Sequence, residues 1–240
     1  MRVNGVNHYV VTLCNPYYTS LFTNRRKNRD TVNQLLSKFS RNSDKGLGEY
    51  IKILVSDDAG QFSQLTQHRA LCWIHQGRHY HKLTPCLKSH QLAVENFVTE
   101  FWDYYERLKV YQLHPTTTEK SNLSQEFDRL FSQKLAYQAL TDRIALTQQK
   151  KQQLLLALDF PDVPLDNNQA ERALREYVIK RKISNGTRTA EGTCAWEVFL
   201  SLVDTCRKNG VNFYHYILGR ITQACELPKL ATLIRNSAVS

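Results

Sequence analysis

The chain has 240 residues, 42% of them hydrophobic and 22% charged, which suits a globular protein with a sizeable core and excludes a disordered or fibrous one. Thirty-two Lys and Arg against 22 Asp and Glu leave a net charge of +10, which favours a polyanionic partner such as nucleic acid. No apolar run reaches the roughly 18 residues of a membrane span, and Met1 to Tyr9 lack the apolar core of a secretory signal, so the expectation is a cytoplasmic protein with no membrane partner.

The first third reads as β-rich. His8 to Cys14 is a β-branched and aromatic run stopped by Asn15-Pro16, and Tyr17 to Thr23 is a second run. The break predicts an antiparallel hairpin. Asp30 and Thr31 then look like a helix N-cap ahead of Val32, Leu35, Leu36 and Phe39 at helical spacing. Arg41 to Gly48 reads as a polar loop. Ile51 to Ser56 is largely apolar and predicts a central strand, and Ala70 to Ile74 a short further strand.

After Pro85 the period changes. Phe97, Phe101, Tyr104, Tyr105 and Leu108 recur at helical spacing within Gln91 to Tyr111, as a core-facing stripe. His114-Pro115-Thr116 breaks that helix. A second helix carries Leu123, Phe127, Leu130, Phe131 and Leu135, and a third runs from Leu140 through Ile144 to Leu158. Pro161 to Asn168 is a junction, and Asp166 can cap a helix through Glu171, Ala173, Leu174 and Val178. Trp196, Phe199, Leu200 and Val203 mark an amphipathic helix stopped by Gly210, and Tyr214 to Ile221 a last short one.

Asp57 directly follows the strand ending at Ser56, where ligand-binding groups often sit. Adjacent residues face opposite ways, so only one of Asp57 and Asp58 reaches a site, and Asp57 is nearer the strand. The alternative is a turn acid pair before Ala59-Gly60. Glu171 lies about one turn inside its helix, where an acid is also favoured by the helix dipole. Ala59 to Val94 contains no acid but holds Arg69, Arg78, Lys82 and Lys88 with five histidines. Cys72-x-x-His75 and His79-x-His81 invite a zinc reading, yet no second well-spaced pair completes it. A phosphate-facing basic edge fits better, with Trp73 and Tyr80 as partial core. The six cysteines form no Cys-x-x-Cys pair and are expected to be reduced. Arg172, Arg175, Lys180, Arg181, Lys182 and Arg188 face one acid, Glu176. They read either as a DNA-backbone contact or as a solvated basic face.

Pro164 to Arg175, with its Asp166-Asn167-Asn168-Gln169-Ala170-Glu171-Arg172 block, closely resembles the segment around the catalytic glutamate of insertion-sequence-66-type transposases. Leu54 to Phe62 is similar to that family's second-aspartate strand, and Cys72-Trp73-Ile74-His75-Gln76-Gly77-Arg78 to its Cys-Trp-x-His-x-x-Arg segment. Arg188 to Gly192 and Asn209 to Ile217 look like the family too.

The resemblance implies an α/β, ribonuclease-H-like mixed sheet with an all-helical insertion and C-terminal helices. Residues 1–90 would form the N-terminal part of the core, 91–160 the insertion, and 161–240 the part carrying the glutamate motif. It implies a DDE-type transposase in which Asp57 and Glu171 are catalytic and hold two Mg²⁺ ions, hard cations suited to carboxylate oxygen. Arg78, Arg172, Arg175, Lys180, Arg181, Lys182 and Arg188 would contact DNA. The partners implied are insertion-element ends and target DNA, with further copies of the chain or other element-encoded proteins, and the work would be nucleoid-associated. The family's first aspartate belongs on a strand before the hairpin, whereas Asp30, the first aspartate here, follows it. That departure implies a fragment inactive alone. The alternatives are a non-catalytic DNA-binding remnant or regulator of an intact transposase, and a ribonuclease-H-like nuclease.

Overall fold

In the computed structural model, residues 2–3, 6–37, 52–224 and 227–239 are described. Phe39, the Arg41 to Gly48 loop, Ile51 and Cys225 lie outside them. In chain order the strands and helices are β1 (Arg2–Val3), β2 (Val6–Asn7), β3 (Tyr9–Cys14), β4 (Thr19–Asn24), α1 (Arg29–Ser37), β5 (Ile53–Ser56), β6 (His68–Leu71), α2 (Trp73–Tyr80), α3 (Lys88–Leu113), α4 (Thr117–Phe131), α5 (Gln138–Gln148), α6 (Lys151–Leu154), α7 (Asn168–Ser184), α8 (Ala190–Lys208), α9 (Phe213–Ile221) and α10 (Leu230–Val239). The architecture is mixed α/β with mostly helical content. No described helix is long and apolar enough to cross a membrane. The chain groups into two compact units, residues 1–35 with 168–240, and residues 36–167.

The first unit is built on the predicted hairpin. β3 and β4 pair antiparallel from Tyr9↔Asn24 to Cys14↔Thr19. The Asn15-Pro16 turn forms because the Asn15 carboxamide oxygen accepts from the Tyr17 and Tyr18 amides at 2.9 and 2.8 Å. Lys208 then clasps it, its ammonium donating to the Asn15 and Tyr18 carbonyls. β4 would be an open edge, but α8 covers it. The amides of Thr19, Leu21 and Thr23 donate to Thr205 Oγ1, Ser201 Oγ and Glu197 Oε1 at 3.1, 3.0 and 2.6 Å. The match is metric: two strand residues rise about 6.8 Å and four helical residues about 6 Å, so alternate amides meet every fourth side chain of α8. A strand edge satisfied by side chains offers no ladder to another chain. α7 lies on β3, with Ala173 and Tyr177 buried, and the Tyr177 ring stacks on Trp196 of α8.

Helix α1 starts two to three residues earlier than its sequence suggested. Asn28, not Asp30 or Thr31, is the capping residue, its Oδ1 accepting from the Thr31 amide at 3.0 Å. Helix α10 had no sequence signal strong enough to be predicted.

The second unit carries the largest core. Its centre is Trp73, fully buried against Phe101, Tyr104, Tyr105, Phe127 and Phe131. The aromatic stripe of α3 is core, as its spacing predicts. Trp73 and Tyr80, expected as partial core, are both wholly buried. Three elements differ from expectation. The strand placed at Ala70 to Ile74 ends at Leu71, and Trp73 begins helix α2. An apolar run of five residues cannot by itself separate a strand end from a buried helix start. β5, expected to be central, pairs only with β6 among the described residues, in parallel register from Ile53↔His68 to Ser56↔Leu71. The third predicted helix is also broken, ending at Gln148 before the short α6.

Gly77 lets α2 and α3 approach. A Cβ there would stand 2.5 Å from Trp102 Cζ2 and 3.1 Å from Phe101 Cε1. Gly77→Ala is therefore expected to destabilise the chain by about 1–3 kcal/mol through overpacking, although alanine is the better helix former by about 1 kcal/mol. Urea unfolding checks this; a raised midpoint would mean that the Trp102 ring swings aside freely.

Candidate metal and nucleic-acid site

β5 and β6 end together, the Cys72 amide donating to the Ser56 carbonyl at 3.0 Å. Asp57 is the next residue and is half-buried. Arg69 of β6 holds the turn that follows. Its guanidinium donates to Ser56 Oγ (3.0 Å), Ser63 Oγ (3.1 Å) and the Asp57 carbonyl (2.6 Å). Burial lowers the Arg69 pKa, while Asp58 and Asp57 oppose the shift. The Asp57 carboxylate uses Oδ1 to accept from the Ala59 amide at 3.2 Å. Its Oδ2 accepts no hydrogen bond among the described residues. Asp58 is placed differently, its carboxylate engaged in an ion pair with Lys150. Neighbouring acids at one strand end thus have different tasks, one tied to a cation and the other with an oxygen available.

Glu171 lies in the first turn of α7 and is half-buried. The helix begins at Asn168, two residues after Asp166, which accepts from the Tyr105 hydroxyl at 3.3 Å. Arg172, Arg175 and Lys182 share the exposed face of α7 by helical spacing, opposite Ala173 and Tyr177. Lys180 is exposed and Arg181 is half-buried. Asn185 and Gly186 end the helix at φ 56° and 90°, and Arg188 is exposed in the turn before α8. Arg78, in the other unit, is exposed on α2 beside His75, 3.3 Å away. The structure thus gathers Glu171 with six of the seven basic candidates in one unit, and Asp57 with Arg78 in the other.

Cys72, from the zinc-like spacing, is buried at the start of α2, and burial pushes its thiol pKa up. The five described cysteines are free. Among the described residues no group of three or more His, Cys, Asp and Glu is gathered as a metal cage.

The transposase IS66 family matches residues 2–195, a span that contains every candidate site residue. The chain belongs to that family. A relative in Sinorhizobium fredii (strain NBRC 101917 / NGR234), the uncharacterized protein y4jO, is 37% identical over 187 residues, covering 78% of this chain and 58% of that protein. The chain therefore spans less than two thirds of that relative's length. No solved structure matches it.

Sequence reasoning passed over three residues of this IS66-family chain. Arg69 was noted only as part of a basic segment, though a lone cation in a four-residue strand facing Leu54 needs polar partners. Arg143 and Lys150, seven residues apart and so on one face of the unbroken helix that the sequence predicts there, are the other two. That spacing was the available signal.

Proposed function

We propose that the chain works in DNA transposition as a DDE-type enzyme of metal-dependent DNA strand cleavage and transfer, with Asp57 and Glu171 as two of its metal-binding carboxylates. The observation that carries this is the Asp57 Oδ2, an available carboxylate oxygen at a strand end whose backbone Arg69 holds rigid. Family membership supports the chemistry. The order of antiparallel hairpin, helix and parallel strand pair supports a ribonuclease-H-like core.

Hard oxygen donors of this kind fit Mg²⁺. When bound, Mg²⁺ supplies an activated oxygen nucleophile and charge stabilisation for phosphodiester attack. Asp57 and Glu171 would hold it, and Arg69 keeps the Asp57 turn in place. Arg172, Arg175, Lys180, Arg181, Lys182 and Arg188 would neutralise DNA phosphates along α7 and its following turn, and Arg78 would do so on α2. The reading places this work on DNA in the cytoplasm.

The test is nicking or joining of duplex DNA by the purified chain. The chain with these two carboxylates alone is expected to be inactive; with a strand carrying a third aspartate fused ahead of the hairpin, activity with Mg²⁺ or Mn²⁺ is expected, stopped by chelation and lost in Asp57→Asn/Glu171→Gln. Cleavage that persists in the double variant overturns the assignment. Duplex binding without cleavage under either metal, with the third aspartate supplied as well as without it, would instead support a non-catalytic DNA-binding role.

A further inference from the structure

Helices α2 and α5 bring together cations that the α7 face and Arg78 do not account for. Tyr80 of α2 and Thr147 of α5 bond through their hydroxyls at 2.7 Å, locking the pair. One turn before each, Arg143 Nη2 donates to Gln76 Oε1 at 2.7 Å. His79 lies on α2, Lys82 just past its end, and Lys150 two residues past α5. The His79 imidazole senses the whole group: burial lowers its pKa, Arg143, Lys82 and Lys150 lower it further, and Asp58 alone opposes them. Few acids balance this charge. Residues 59–94 hold none, and Asp142, the one acid of α5, is bonded to Gln138. Asp58 itself is paired to Lys150.

Two polar atoms here are also short of partners. Gln76 is completely buried, and its Nε2 has none among the described residues; nor has the buried Nε of Arg143. Both are donors, so what the site lacks is an acceptor. Excess positive charge and unmet donors on a locked helix pair describe a receptor for an oxygen-rich anion.

We propose that α2 and α5 form a second nucleic-acid site, a surface on which Lys82, Arg143, Lys150 and His79 bind the phosphodiester backbone of the DNA strand led to Asp57. This rests on the transposase reading and adds to it a strand-holding surface within the unit that carries Asp57. The Asp58 carboxylate occupies Lys150 until a phosphate replaces it.

The test is fluorescence anisotropy of the full chain with a labelled DNA duplex across a salt series. Lys82→Gln and Lys150→Gln are each expected to weaken binding and to lower the salt slope by about 0.9, the value for one lost phosphate contact. Lys109→Gln, an exposed α3 cation paired with Glu106, is the control and should leave the slope unchanged. Circular dichroism melting establishes that each variant is folded. An unchanged slope in folded Lys82→Gln/Lys150→Gln, with a reduced slope in Arg172→Gln/Arg175→Gln, overturns this second site and leaves the transposase reading intact. Absence of duplex binding by the parent chain overturns both.

Discussion

In the chain supplied with a third aspartate, Asp57→Asn is expected to lower Mg²⁺-dependent strand cleavage about a thousandfold, whereas Asp58→Asn lowers it by less than about fivefold. The first figure follows from losing several kcal/mol of metal-supplied charge stabilisation, each 1.36 kcal/mol being about tenfold in rate. Asparagine keeps the side-chain oxygen that bonds the Ala59 amide, so the turn survives and the charge alone is removed. The second figure follows from the ion pair that Asp58 makes with Lys150, whose two side chains are 34% and 21% exposed. Partly exposed pairs of this kind contribute about 0–1 kcal/mol. Rates under saturating metal, with both variants side by side, check the contrast. Equal losses would mean that the strand end does not separate the two acids as described.

Trp73→Ala is expected to destabilise the chain by about 3–5 kcal/mol from the lost ring alone. The indole is 0% exposed, with the Phe101 and Tyr104 rings both 5.5 Å away and Phe127 edge-on at 6.3 Å. The indole N–H also donates to the Leu154 carbonyl at 2.9 Å. Losing that donor leaves a buried acceptor unsatisfied, a further cost of about 1–3 kcal/mol. Against a typical total stability of about 5–15 kcal/mol, the sum is a large share of what holds the α3–α5 region folded. Trp73→Phe keeps most of the ring and loses the donor, so it should fall between parent and alanine. Guanidinium unfolding followed by circular dichroism orders the three. A Trp73→Ala shift below about 1 kcal/mol would show that the cavity collapses.

The α3 and α4 helices were legible because their apolar spacing is local and long. Phe97, Phe101, Tyr104 and Leu108 face one way whatever packs against them. The hairpin was legible because Asn15 and Pro16 carry their turn chemistry with them. The helical setting of Glu171 was also local, with Asn168 starting α7 close to where the motif puts it.

Other features depended on residues far apart in the chain. Trp73 reads as strand in isolation, since its neighbours are apolar and β-prone. It becomes helical because Leu71 ends β6 and the indole needs the α3–α4 aromatic pocket. The coverage of β4 by α8 joins residues more than 170 apart. Strand geometry favoured Asp57 over Asp58, but two distant cations separated their tasks, Arg69 holding the turn and Lys150 taking the Asp58 carboxylate.

The amino-acid sequence by itself determined family membership, the position of both candidate carboxylates and the helical spacing of the core. The spacing and the setting of each carboxylate depend on residues within about two turns of one another, and the family match depends on short motifs that follow one another in order along residues 2–195. Only the tertiary structure decided which acid keeps an oxygen available, that Arg143 meets α2 and that Lys150 meets Asp58. Charge partners are set by which surfaces pack together, and a one-dimensional pattern carries no record of that packing.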